Sequence, residues 1–219
     1  YSGGGDAVKH GDLDSTLTNP GKYLDIHMDK DGLNFSCGEC HKTIGHEVPG
    51  SRYAPTAKDE GDQAHIRGKD DKNPATCQAC HTNTPHKSDP RLNAHAEKIA
   101  CQTCHIPEFA RGQPTKMSWD WSTAGKLDKD GKPFVLKDSA GHPAYDSKKG
   151  DFKYESNVIP TYVWFNGTVD YTLRDTQLDP TQLVRINRFE GSPTDGKSKI
   201  WPVKVFTGLT FPSSTETNT

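Results

Sequence analysis

The sequence predicts a mostly irregular fold, with short helices in its first half and a small β-containing part towards its C-terminal end. Three observations carry that prediction. Hydrophobic residues are 31% of the 219, and Leu, Ile, Val and Phe together number only 36, a lean supply for a core built from side chains. Charge repulsion does not account for the leanness, because 27 basic residues against 29 acidic ones leave a net charge of −2. Residue types also divide along the chain: all six cysteines and nine of ten histidines lie in residues 1–105, whereas 15 of 19 aromatic residues follow.

Three copies of one pattern use every cysteine: Cys37-Gly38-Glu39-Cys40-His41, Cys77-Gln78-Ala79-Cys80-His81 and Cys101-Gln102-Thr103-Cys104-His105. C-x-x-C-H is the attachment signature of c-type haem. Two intervening residues let both sulfurs bond the vinyl groups on one porphyrin edge while the adjacent histidine reaches the iron, so cofactor and axial ligand are fixed together. Zinc fits poorly, since four-thiolate sites consume C-x-x-C pairs two at a time and three is odd. A thioredoxin-like pair would need a βαβ context that is missing. The expectation is three covalently attached haem c groups, with His41, His81 and His105 as proximal ligands. Each porphyrin is a large apolar plate, and together they supply the core that composition withholds.

Seven histidines remain for the distal positions. Cys37 to His46 and Cys77 to His86 both read C-x-x-C-H-x4-H, forty residues apart, while Ala110 breaks the rule at the third site. A histidine five residues after the proximal one is tethered too tightly to round its own porphyrin, so His46 and His86 are expected to ligate neighbouring haems. His95 follows Leu92 in a stretch where Leu92, Ala96 and Ile99 recur at helical spacing, before Pro107 stops the run. Ten residues separate it from His105, about 15 Å of helix, which assigns it to another haem. His27, ten residues before Cys37, completes the distal set, with His65 and His10 in reserve. His142, beyond the haem segment, reads as structural or exposed. Two imidazoles per iron imply low-potential haems with no open iron position.

The change of character near residue 105 divides the chain into a trihaem-binding segment, 1–110, and an aromatic-rich, β-containing segment, 111–219, packed on the haems. Val158 to Phe165 and Thr168 to Leu173 flank Asn166-Gly167, the strongest short hairpin signal. Leu183 to Phe189 and Ile200 to Phe206 are further strands, the latter at an edge because of Pro202. Trp119 and Trp121 stand out as possible haem-packing or electron-relay groups in what otherwise reads as an ordinary β core.

Location follows from cofactor chemistry. Covalent haem attachment in bacteria and archaea is completed outside the cytoplasm, so the chain is expected to be extracellular or at the cell surface, with the periplasm as the alternative. Tyr1 is followed by no hydrophobic signal segment, as a mature form would be, and no cysteine near it offers a lipid anchor. No apolar run reaches the length of a membrane span, and the charge balance gives no footprint for nucleic acid.

The chain resembles the octahaem tetrathionate reductase family of multihaem c-type cytochromes. The resemblance is carried by Leu24-Asp25-Ile26-His27-Met28-Asp29, Cys101 to Pro107, Pro114-Thr115-Lys116-Met117-Ser118-Trp119-Asp120-Trp121-Ser122, Tyr162-Val163-Trp164-Phe165-Asn166-Gly167 and Lys197 to Lys204. It implies a mostly irregular multihaem cytochrome c fold and makes His27, His46, His86 and His95 look like axial ligands. Members of that family carry further haem sites after the Ile200-Trp201-Pro202 segment and a lysine-ligated catalytic haem, whereas every C-x-x-C here is followed by His. A shortened, trihaem unit is also similar to extracellular cytochromes that polymerise into conductive filaments, where an end haem can take its distal histidine from the next subunit.

The sequence therefore reads as a trihaem electron carrier without enzymatic activity, expected to be a homopolymeric filament subunit that passes electrons to other electron-transfer proteins or extracellular acceptors. A haem-dependent reductase of sulfur or nitrogen oxyanions and a discrete periplasmic carrier are the alternatives.

Overall fold

Local turn chemistry organises the first half of the chain. The structure, a computed structural model, describes residues 15–41, 76–179 and 181–209. His10, His46 and His65 lie outside the described residues. A 3-10 turn, Ser15–Leu17, is followed by four short helices: α1 (Cys37–Cys40), α2 (Gln78–His81), α3 (Pro90–His95) and α4 (Cys101–His105). The start of α3 is set by Asp89, whose side chain accepts from the Arg91 and Leu92 amides, and by Pro90 in the first turn. The helix closes at His95 and a turn intervenes, so the expected helical run from Leu92 to Ala100 stops half-way. Residues 98–100 instead bond across to a strand: Ala100 N donates to Ile200 O at 3.0 Å and Ile200 N to Lys98 O at 2.8 Å. That pairing is non-local and invisible to helical periodicity.

Every strand among the described residues lies between 115 and 209. A five-stranded sheet runs in the order β2 (Val135–Lys137), β3 (Pro143–Asp146), β4 (Gly150–Glu155), β1 (Thr115–Asp120), β9 (Thr207–Leu209). All its neighbours are antiparallel except β1 and β9, and a register shift between Lys116 and Ser118 bends β1. Two small ribbons complete the fold: β5 (Thr161–Phe165) with β8 (Lys199–Val203), and β6 (Val169–Tyr171) with β7 (Asn187–Phe189). Pro202 is tolerated because β8 belongs to a two-stranded ribbon.

Asn166-Gly167 does not make the expected hairpin. A type I′ turn needs left-handed backbone at both central residues, and only Gly167 has it, with φ of 101°. The Asn166 side chain caps the bend by accepting from Thr168 N at 2.8 Å, and Asn166 N donates to Glu190 O. The chain turns out of one ribbon into the other, so β5 and β6 find different partners.

Among the described residues, four hydrophobic side chains are buried, namely those of Ala100, Ala110, Tyr145 and Phe165. Much of the remaining aromatic surface stacks on itself along the large sheet: Trp121 on Trp119 (centroids 4.8 Å apart), Trp119 on Phe152 (5.6 Å) and His142 on Tyr154 (5.3 Å). Lys116 Nζ lies 4.0 Å from the Phe152 ring centre, a cation–π contact that offsets part of its desolvation. Trp119 and Trp121 thus belong to the sheet's own aromatic cluster, and His142 is structural. Its Nδ1 is 3.5 Å from Asp138 Oδ2.

Candidate haem-binding site

Each C-x-x-C-H folds as one helical turn, which places both sulfurs on one side and the histidine beside them. His41 N donates to Cys37 O at 2.8 Å and His81 N to Cys77 O at 2.9 Å, closing the first two motifs. The third is α4 itself, fastened to β8 by Thr103 Oγ1 donating to Ile200 O at 2.7 Å and by the Lys98 to Ala100 backbone bonds. Lys199 Nζ reaches Ala96 O at 2.5 Å on the same joint. The C-terminal strands therefore position the last cysteine pair.

The three motifs come together in space. The Cys77 thiol donates to the Cys101 sulfur; that bond and burial push Cys77 well above the usual thiol range. The same bond, helped by Lys199, holds Cys101 down to about 6. Burial, and then the neighbouring Cys80, push Cys40 up. Cysteines of the second motif thus lie near those of both others, which makes it the middle of the cluster.

Four histidines form two facing pairs. The His27 and His81 rings have centroids 6.0 Å apart with planes at 67°, and those of His86 and His105 are 6.3 Å apart at 7°. Each pair joins one motif histidine to one that lies outside every motif. Side chains hold the backbone of both outsiders. Asp25 Oδ1 accepts from His27 N at 2.8 Å and Met28 N at 3.0 Å. Asn93 brackets His86, accepting from its N at 3.0 Å and donating to its O at 2.9 Å. His95 is exposed at the end of α3, and no other histidine ring faces it among the described residues.

Asp25 and Asn93 did not emerge from the sequence as site residues. Asp25 carries a local signal, an acidic residue two positions before a histidine in a turn-rich stretch. Asn93 bonds a residue seven positions away and carries none.

The residues present fit c-type haem. Cys37, Cys40, Cys80 and Cys104 are exposed, and so are His27, His81 and His105, which places them at the surface where a large planar cofactor can reach them. An imidazole nitrogen lies about 2.0 Å from a metal it ligates and about 1.2 Å from its own ring centre, so two imidazoles on one iron have centroids about 6.4 Å apart. The pairs, at 6.0 and 6.3 Å, lie close to that spacing. Among the described residues no group of three or more His, Cys, Asp or Glu is placed to hold a bare metal ion, and no helix is long and apolar enough to cross a membrane.

Comparison with known proteins agrees with the site. The family described as cytochrome c7 and related cytochrome c matches residues 23–106, and that described as cytochrome c bacterial matches residues 116–219. No curated protein matches the chain. Among solved structures, the octaheme cytochrome c from Shewanella oneidensis is similar, with 40% identity and a TM-score of 0.76 over 91% of this chain. The chain spans 42% of that protein. This likeness corrects the expectation of a protein without enzymatic activity, because octaheme cytochromes c include enzymes of the reductase type and the absence of a lysine-ligated haem is too narrow a ground for excluding catalysis. With cysteine motifs, facing imidazoles and both halves in agreement, the chain belongs to the multihaem c-type cytochromes.

Proposed function

We propose that this chain is a trihaem electron-transfer protein working outside the cytoplasm, extracellular or at the cell surface, as a homopolymeric filament subunit. The observation that carries electron transfer is the clustering of three C-x-x-C-H turns around a middle one, the second motif's cysteines lying next to those of both others. Bound haem c supplies a reversible one-electron couple at each motif. Cys37 and Cys40, Cys77 and Cys80, and Cys101 and Cys104 fix three such groups at short separations, and His41, His81 and His105 ligate them from the motif side. His27, His46, His86 and His95 form the distal set, with His65 and His10 in reserve. Filling the iron with imidazole on both faces keeps its ligands the same in both oxidation states, which suits rapid transfer to a redox partner.

Self-assembly is supported by large apolar side chains on the outside of the β-containing half: Leu183 is 86% exposed, Ile159 75% and Ile186 65%. A neighbouring copy seated there would cover them. A haem-dependent reductase of sulfur or nitrogen oxyanions is the second reading, favoured by the 40% identity to an octaheme cytochrome c. Two measurements on the holo protein test these readings. A pyridine haemochrome assay should return three haems per chain, and negative-stain microscopy should show fibres. Fewer haems would overturn the trihaem assignment, and uniformly dispersed particles would overturn the filament in favour of a discrete periplasmic carrier. Turnover of tetrathionate, nitrite or hydroxylamine with a reduced dye would favour the reductase.

A further inference from the structure

We infer that the two facing histidine pairs are the axial ligand sets of two different irons: His27 with His81 for the haem on Cys77 and Cys80, and His86 with His105 for the haem on Cys101 and Cys104. This rests on the haem-binding reading and adds to it which imidazole serves which iron, and at what angle. Each pair contains one motif and one outside histidine, never two of a kind. Each falls close to the separation of two imidazoles on one iron, at 6.0 and 6.3 Å. The backbones of both outside histidines are held by dedicated side chains, Asp25 for His27 and Asn93 for His86. The His27 ring also lies 6.3 Å from that of Phe35, so separation alone does not mark a ligand pair; the joining of one motif and one outside histidine, found in both pairs, is what singles them out.

The assignment has a structural consequence. His86 lies five residues after His81 yet faces His105, so the loop between them ties the second iron to the third. His27 precedes the first motif yet faces the second, a separation of 54 residues. The middle haem thereby receives its distal ligand from the segment leading into the first motif, where Gly112 packs against Thr16 and Leu24, and Arg111 covers Tyr23. The two sets also differ in twist. Planes at 7° make the third iron's imidazoles nearly parallel, whereas 67° makes those of the second strongly crossed. Low-spin ferric haem reports that angle: parallel imidazoles give a rhombic electron paramagnetic resonance signal and crossed ones a highly anisotropic signal with a single prominent low-field feature.

The experiment is low-temperature electron paramagnetic resonance on the oxidised holo protein, with covalent haem counted in each sample. Wild type should show both signal types. His27→Ala should convert one haem's share of the anisotropic signal to high spin and leave the rhombic one, with added imidazole restoring low spin; His86→Ala should do the reverse. Absence of new high-spin haem in His27→Ala, or conversion of the rhombic signal with the anisotropic one undiminished, overturns the pairing. Asn93→Ala keeps every ligand and guards against a variant that does not fold. It should broaden the rhombic signal alone, and a change confined to the anisotropic signal would contradict the assignment. Failure of the underlying reading is distinguishable, because wild type would then carry no covalent haem at all.

Discussion

Replacing Thr103 by valine removes one hydroxyl from the joint that fastens the third haem motif to the β-containing half. Thr103 Oγ1 donates to Ile200 O at 2.7 Å from a half-buried position. Valine has the same branched shape and nearly the same helix propensity, so neither packing nor the α4 backbone should change. Ile200 O keeps its second donor, Ala100 N at 3.0 Å, and no buried carbonyl is orphaned. The loss is therefore one net hydrogen bond, about 1 kcal/mol. With an m value of about 2 kcal/mol per molar urea, the unfolding midpoint should fall by about 0.5 M. Trp201, next to Ile200 in β8, supplies a fluorescence probe that haem quenches in the native state. Thr103→Ser keeps the donor and should stay near the native midpoint. If valine and serine variants both unfold with wild type, the bond contributes nothing. A loss above about 3 kcal/mol for valine would mean that the joint depends on more than this contact.

Two further perturbations test the β-containing half. Gly150→Ala drives a methyl into the Asp120 carbonyl oxygen at φ of 87°. Left-handed strain of about 1–2 kcal/mol adds to displacement of the Thr123 hydroxyl bonds, for a total of about 3–4 kcal/mol; a thermal midpoint within a degree of wild type would refute it. Asp195 accepts from the amides of Ser192, Lys197 and Ser198 and from the Ser198 hydroxyl, and the Ser198 bonds above all hold its carboxyl far below the usual range. A depressed carboxyl contributes stability above its unfolded pKa of about 3.9 and loses it as pH falls through the folded value. Asp195→Asn should therefore lower the urea midpoint at pH 7, and the gap from wild type should narrow below about pH 4. A gap independent of pH would contradict this.

How far a sequence reveals such a structure depends on the range of each interaction. The irregular first half, the short helices and the β-containing second half were readable because composition and turn signals are local. Pro202 marked its ribbon correctly. Asn166-Gly167 misled, because a dipeptide describes a bend and not the partner that each flanking strand finds beyond it. The run from Leu92 to Ala100 misled in the same way, its second half being claimed by a strand a hundred residues later. Asp25 announced itself weakly and Asn93 not at all, since the bonds to His86 close only in the folded chain. The judgement on catalysis failed for another reason: ligand identity at three motifs says little about chemistry in relatives that span more than twice this length.

Covalent haem on all three cysteine pairs is the condition for everything inferred about the histidines. Intact-mass spectrometry of the denatured native protein measures it directly. The expected mass is that of the polypeptide plus three haems, each resisting acid–acetone extraction. A mass equal to the bare polypeptide, or one raised by zinc alone, would contradict it.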